Sequence, residues 1–366
     1  MARKLTSDQV LFLATLLLVA VSVVMVYSAS AVLASERYHQ PHLFLIKQAM
    51  WAALGIALLR LVMKVDYRNY RQPVVIWTVL AVATLGLVVV FFSPPVKGSH
   101  RWIGLGLMGI QPSELAKLAV IILTAAVLER RMHRIDEPWH ALAPVGAVVL
   151  VFMSLILLEP DLGTAMVLLL IATVMVFTAG LEYRYLVGGA LCLVPLVYSL
   201  VMGAAYRRRR ILAFWNPWDD PLGDGYHVIQ SLIAVGTGGV TGKGFMAGMQ
   251  KLFYLPEPHT DFIYAVVAEE LGLIGATAIV ICFCVITWRG LRVASRAPDS
   301  FGAFLAVGLT TMFALQALIN INVVLGLLPP KGIPLPFVSA GGSSLLVNLL
   351  GMGILLNVSQ HASASG

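Results

Sequence analysis

The amino-acid sequence predicts an all-α fold: a polytopic membrane helix bundle of about ten transmembrane helices with one long extracytoplasmic loop. Three observations predict it. Of 366 residues, 59% are apolar and only 12% are charged, with a mean hydropathy of +0.88, whereas about a quarter of a soluble domain is charged. Apolar runs of about 18 to 22 residues recur along the chain, each long enough to cross roughly 30 Å of hydrocarbon as a helix. Arg and Lys gather at the ends of alternate runs, the asymmetry that orients membrane helices.

The expected spans are 10–30, 44–63, 74–92, 113–129, 141–158, 161–180, 187–205, 263–288, 301–325 and 341–358. Arg3 and Lys4 ahead of the apolar run Val10 to Tyr27 look like a secretory signal. That run exceeds the usual ~7 to 15 residue signal core, so a retained signal-anchor is expected. Spans five and six are divided at Glu159-Pro160-Asp161, because a single helix could not hide both acids in lipid and proline breaks a helix interior. The whole chain, 1–366, reads as a single integral-membrane domain.

With a cytoplasmic N-terminus, the inner segments receive Arg3, Lys4, Arg60, Lys64, Arg68, Arg71, Arg130, Arg131, Arg134, Arg184, Arg289, Arg292 and Arg296. The short outer loops hold only Arg37, Lys97, Arg101 and Lys331. Both termini are therefore expected in the cytoplasm. The segment of about residues 206 to 262 then lies outside, although it begins with Arg207-Arg208-Arg209-Arg210. Long loops translocate largely regardless of charge, and four outer arginines invite an anion. The net charge of +7 sits mainly at span ends rather than on one soluble face, so no nucleic-acid partner is expected.

The glycines of this segment do not make a nucleotide site. A Walker A motif would need Gly at 237 and Ser or Thr at 244, where the chain has Thr237 and Gly244. Trp215, Trp218, Tyr226 and Phe253 suit the headgroup level. The planar fork of arginine matches phosphate oxygens, so a lipid-linked phosphate or pyrophosphate is the natural ligand. Asp261 ends the segment after His259-Thr260. It reads equally as a helix N-cap or as a carboxylate that takes a proton from a sugar hydroxyl or holds a cation.

Glu269 and Glu270 follow about 12 to 14 Å deeper at 1.5 Å per residue, where a carboxylate should be paired, protonated or turned to a cavity. Gln111-Pro112-Ser113-Glu114-Leu115-Ala116-Lys117 opens span four, with Glu114 and Lys117 at i,i+3. This pair is either a helix-locking salt bridge or part of a site lining. Lys331 to Ser344 is dense in Pro and Gly, the mark of a re-entrant or broken segment, and Gln316, Asn320 and Asn322 supply amides in span nine. Cys192, Cys282 and Cys284 lie inside apolar runs, which argues against a disulfide framework or a zinc site.

Taken together, MVYSAS, GSHRWIGLG, QPSELAKL, PDLGTA, YRRRRILAFWNP, the GTGG and GKG stretch, LPEPHTDFIYAVVAEELGLIG and PLPFVSAGGSS resemble the SEDS family, the RodA and FtsW type of cell-wall polymerase, in order along nearly the whole chain. QKLFYLPEPHTDF and LPPKG are more similar to the FtsW division branch than to the RodA elongation branch. Ala340 stands where the family usually has Tyr, and Glu159 where Gln is common.

The resemblance implies a peptidoglycan glycosyltransferase polymerising lipid II on the outer face of the bacterial inner membrane, with Asp261 essential. Arg207, Arg210, Lys243, Glu114, Lys117, His259 and Ser343 become candidate substrate-binding residues, and Glu269, Glu270, Lys331 and Asn320 candidate cavity residues. A divalent cation, Mg or Mn, at Asp261 is left open. The implied partners are a class B penicillin-binding protein acting as transpeptidase and other divisome membrane proteins. Three rivals stand beside this reading: an elongation-type polymerase, a lipid II flippase, and a scaffold that only docks enzymes.

Overall fold

The computed structural model describes residues 7–95, 99–105, 108–132 and 138–362; Arg3, Lys4, Lys97 and Arg134 of the orientation pattern lie outside these described residues. Helices occupy all ten expected spans: α1 (Gln9–Tyr38), α2 (Leu43–Val62), α3 (Pro73–Val89), α4 (Pro112–Arg131), α5 (Pro138–Leu158), α6 (Leu162–Thr178), α7 (Tyr183–Met202), α10 (Ile263–Ser295), α11 (Ser300–Val324) and α12 (Gly342–Ala362). Between α7 and α10 lie α8 (Ala205–Trp215) and α9 (Tyr226–Gly238). The protein is a multi-pass membrane protein.

Local chemistry sets the helix ends. Asp8 accepts the Leu11 amide at 3.0 Å, Asp161 the Thr164 amide at 3.1 Å and Asp299 the Gly302 amide at 2.8 Å, so carboxylates cap α1, α6 and α11. Pro73 and Pro112 open α3 and α4, where proline gives up no helical hydrogen bond. Among the described residues seven helices are long and apolar enough to cross a membrane by length and composition: α1, α2, α3 with its extension to Phe92, α7, α10, α11 and α12. Leu142–Leu158 and Leu162–Thr178 are shorter apolar helices. α4 is more polar: it packs against α3, α5, α6, α11 and α12, so Glu114 and Lys117 are buried against protein rather than lipid, while Arg130 and Arg131 are exposed at its end.

Chain reversals sort onto two faces. On one, Asp8 N donates to Ser359 Oγ at 3.1 Å, Tyr67 N to Asn357 Oδ1 at 2.9 Å, and Arg71 pairs with Glu129 at 3.1 Å. Both described ends of the chain therefore lie on this face, as an even number of crossings requires. On the other lie the antiparallel hairpin of β1 (Ile103–Leu105) and β2 (Met108–Ile110), the Glu159–Asp161 turn, the 203–262 segment and the 325–341 segment. Arg101 Nε donates to the Glu159 carbonyl at 3.0 Å and joins the hairpin to the turn.

The structure corrects the sequence reading in two places here. The 206–262 segment is not a plain loop, because α8 carries the four arginines and α9 packs back on α10 and α11, with Ser231 Oγ donating to Val324 O at 2.8 Å. Nor is the eighth span continuous. α10 is broken at Gly272, with φ 65° and ψ −163°. Residues 239–244 fold along the break: Leu273 N reaches Gly239 O at 2.9 Å, Ile274 N reaches Val240 O at 3.2 Å, and Lys243 N and Gly244 N reach Glu269 O and Glu270 O, each at 3.0 Å. A helix interrupted at membrane depth leaves backbone groups that must find partners inside the protein, and this segment supplies them. A Cβ at Gly242 or Gly272 would collide with backbone, and both have positive φ, so glycine is required at each.

Candidate active site

A cavity of about 390 Å³ opens on the face bearing the 203–262 segment. Arg101, Asp161, Arg207, Arg210 and Lys331 provide its charge, and Leu162, Met166, Val197, Val201 and Ile319 are among its apolar walls. α8 presents Arg207 and Arg210 at i,i+3, on the same side of the helix, and both guanidinium groups lie near the Tyr206 ring at 5.3 and 5.9 Å. Arg207 also donates to the Tyr206 hydroxyl at 2.8 Å and to Leu200 O at 2.9 Å, which fixes it. Arg209 turns away to Asp224 at 3.5 Å.

Lys331 is half-buried, and its proton affinity is pushed below the ordinary lysine value by burial, with Arg207 and Arg210 adding repulsion against the pull of Asp161. Asp161 is held by the Thr164 amide and hydroxyl, at 3.1 and 2.8 Å. The formal balance of the five charged lining groups is four cations to one acid, a field suited to a polyanion.

Asp261 is not itself a lining residue of this cavity but stands behind its wall residue Gly332, half-buried, just before Phe262, the N-cap of α10. Its carboxylate lies against Gly332, where a Cβ would sit 2.8 Å from Oδ2. Three ties hold the surrounding backbone: Asn320 Nδ2 donates to both Asp261 O and Ile333 O at 2.8 Å, Ser339 Oγ donates to Thr260 O at 2.6 Å, and Ala340 N donates to His259 O at 2.9 Å. The non-helical 325–341 segment therefore clamps the Asp261 turn, and Lys331 and Gly332 come with it. His259 itself is buried with its ring 4.8 Å from that of Phe44.

Other candidates lie elsewhere. Lys243 pairs with Glu269 at 2.7 Å, and Lys251 with Glu270 at 2.6 Å. Ser28 Oγ donates to Glu270 at 2.7 Å, while the Met246, Met249 and Gln250 amides point at the two carboxylates at 2.9 to 3.1 Å. Lys243 is thus paired with a buried carboxylate, its own side chain 30% exposed, and lies away from the cavity. Glu269 and Glu270 are each matched by a lysine of the returning segment. Glu114 and Lys117 form a 2.9 Å pair, with side chains 2% and 3% exposed, and Ser343 Oγ accepts the Gln111 amide at 3.2 Å. None of these residues lines the cavity.

Sequence reasoning missed Lys251, and it missed Arg101 and Asp161 as cavity groups. PDLGTA carried the signal for Asp161, but nothing in the order of residues places it beside Lys331. Among the described residues no three His, Cys, Asp or Glu side chains converge as a metal site.

A membrane bundle with a cationic cavity and an acid behind one of its wall residues suits an enzyme or carrier of anions. The sequence profile of the family described as "Cell cycle protein", grouping FtsW, RodA and SpoVE, matches residues 8–364, and the chain belongs to that family. It is 44% identical over 356 residues to the "probable peptidoglycan glycosyltransferase FtsW" of Geobacter metallireducens, covering 96% of this chain and 94% of the relative. It is 43% identical over 365 residues to the stage V sporulation protein E of Bacillus subtilis, covering 98% and 99%. A solved chain described under "structural coordination of polymerization and crosslinking by a peptidoglycan synthase complex" superposes with a TM-score of 0.79 at 31% identity, covering 98% and 99%. The rod shape determining protein RodA of Thermus thermophilus superposes at 0.69 and 26%, covering 97% of each chain.

Proposed function

We propose that the chain is a peptidoglycan glycosyltransferase of the division type, polymerising lipid II at the cavity beside Asp261. The observation that carries this is the joining of one acid, Asp261, to a wall of Arg207, Arg210 and Lys331 through the Gly332 turn. In the reaction the acceptor 4-hydroxyl attacks the anomeric carbon of the donor. A new C–O bond forms, the bond from that carbon to pyrophosphate breaks, and undecaprenyl pyrophosphate leaves. Asp261 takes the hydroxyl proton, and the arginines and Lys331 stabilise charge growing on the pyrophosphate.

A divalent cation would suit the same place. Asp261 is a single carboxylate, and Mg commonly binds through one or two carboxylates with substrate phosphates and water completing its shell; it would neutralise the departing pyrophosphate.

The topology goes with this function. Both termini face the cytoplasm and the cavity opens on the outer face of the inner membrane, the side on which the short loops are poor in Lys and Arg. The chain acts as one membrane unit, with a class B penicillin-binding protein as transpeptidase partner and other divisome proteins around it. The relation to the "peptidoglycan synthase complex" chain supports a crosslinking partner. The stage V sporulation protein E relative, at 43% identity, supports a role in sporulation as a second reading.

Asp261→Asn tests the proposal. The variant in detergent with lipid II should lose polymerisation by at least about 10²-fold while melting like the parent. Glycan ladders at the parental rate would sink the assignment, and lipid II crossing vesicles without any product from the parent protein would make it a flippase.

A further inference from the structure

A second cavity of about 430 Å³ lies at the opposite face, between the start of α1 and the ends of α10 and α12. Arg289, Arg292 and Arg296 line it, with Asp8 and Ser359. Arg289 is engaged, its Nε 2.7 Å and its Nη2 2.6 Å from Asp8 Oδ2. Among the described residues no ion pair holds Arg292 or Arg296. Three cations against one acid leave a formal surplus of two.

The orienting charge bias of membrane proteins and the negative end of α10 account for basic residues here. They do not account for a cavity around them. Arginines on one helix face repel one another, and one aspartate relieves only part of that. The room, about 430 Å³, falls within the ~300–1,000 Å³ range of small-ligand sites and exceeds what a lone phosphate fills.

The depth of the cavity is also marked. Trp288 is 61% exposed beside it, with the Arg289 guanidinium 5.9 Å from its ring, and Val10 and Leu13 of α1 are 47% and 62% exposed. An exposed Trp next to arginine at the end of an apolar helix belongs at the headgroup level. Basic pockets between membrane helices on the cytoplasmic side receive phospholipid headgroups.

We infer that this pocket binds the phosphate of an anionic phospholipid, of the phosphatidylglycerol or cardiolipin class, with Arg292 and Arg296 as its fork and Arg289 held in place by Asp8. The bound lipid ties the first helix to the ends of α10 and α12, far from the polymerising cavity. Assignment to the cytoplasmic leaflet rests on the topology proposed above; binding in detergent does not, so failure to bind would leave that topology untouched.

The test uses the purified full chain in an uncharged detergent, titrated with phosphatidylglycerol, with phosphatidylcholine of the same acyl chains, and with inorganic phosphate. Thermal melts and native mass spectrometry read the result. Phosphatidylglycerol should raise the melting temperature and stay bound, and phosphatidylcholine should do neither. The Arg292→Gln/Arg296→Gln double variant should melt like the parent without lipid yet bind phosphatidylglycerol about tenfold more weakly. Arg292→Lys/Arg296→Lys, which keeps the charge but loses the fork, should fall between them and covers the case of a misfolded double variant. Equal phosphatidylglycerol binding by the parent and a folded Gln variant overturns the proposal. So does inorganic phosphate reproducing the shift and displacing the lipid, which would make the pocket a free-ion site.

Discussion

Two clusters of charged side chains meet the first turns of α10, one neutralised by pairing and the other in cationic excess. Around Glu269 and Glu270 every acid has its lysine, at 2.7 and 2.6 Å, and the carboxylates are fully buried. In the cavity beside Asp261 the cations outnumber the acids, and Arg207, Arg210 and Lys331 line its wall. Matched, buried charge fixes a chain segment, whereas unmatched charge at a cavity wall is left for a ligand. The difference separates a structural clamp from the proposed reaction site, although their acids, Asp261, Glu269 and Glu270, lie within ten residues of chain.

The sharpest break of this contrast comes from the clamp. Glu270→Gln leaves Lys251 buried without its carboxylate, and loss of one partner of a buried pair costs about 3–5 kcal/mol. The variant should be recovered poorly and melt far below the parent. A parental melting temperature would show that the clamp is not structural. Replacing Lys251 by Met together with Glu270 by Leu should recover much of the loss, because it removes both charges at once.

At the reaction end, Gly332→Ala should leave folding intact and cut lipid II polymerisation by up to about 10²-fold, the cost of a displacement of roughly 1 Å in a reacting group. The Cβ would press on Asp261 Oδ2. Initial rates at saturating lipid II read this directly, and an unchanged rate would detach Gly332 from the site. Arg210→Ala should lower the rate about tenfold, the order of a charge-assisted hydrogen bond, with no change in melting. An equal loss in both quantities would place Arg210 with the clamp.

The smallest effect is a pH dependence at the turn beside the cavity. Glu159 is fully buried, and burial, with the nearby Asp161, raises its carboxyl from 4.5 to about 8 against the pull of Arg101. A carboxyl whose folded value is raised favours the folded state most below its unfolded value and loses that contribution as pH rises through the folded one. Between pH 7 and 8 the parent should therefore lose about 1 kcal/mol of stability relative to Glu159→Gln. Melts of the two proteins across that window check it; parallel curves would mean that Glu159 is already ionised. The neutral acid is an isostere of the Gln that the family resemblance expects at this position, which explains how the substitution is tolerated.

Much of the fold was legible in the sequence because lipid imposes a one-dimensional rule. A run of apolar residues long enough to span must be a helix, and the acids at 159 and 161 had to mark a turn. HTDF drew attention to Asp261 and the density of arginine to Arg207 and Arg210; the structure puts the two arginines on the cavity wall and Asp261 against Gly332. The pairing of Lys243 with Glu269 was not legible, because a lysine in a glycine-rich stretch looks the same in sequence whether it meets a phosphate or a buried glutamate.

The sequence by itself determined the solvent, the ten spans and the residue types able to handle a pyrophosphate, since composition, period and charge bias are properties of the chain alone. Tertiary structure decided which charges are satisfied. The break at Gly272, the return of 239–251 beside Glu269 and Glu270, and the Gly332 turn against Asp261 join residues far apart in the chain. Whether a charge is neutralised or left facing a cavity depends on its neighbours within a few ångströms, and only the folded bundle sets those.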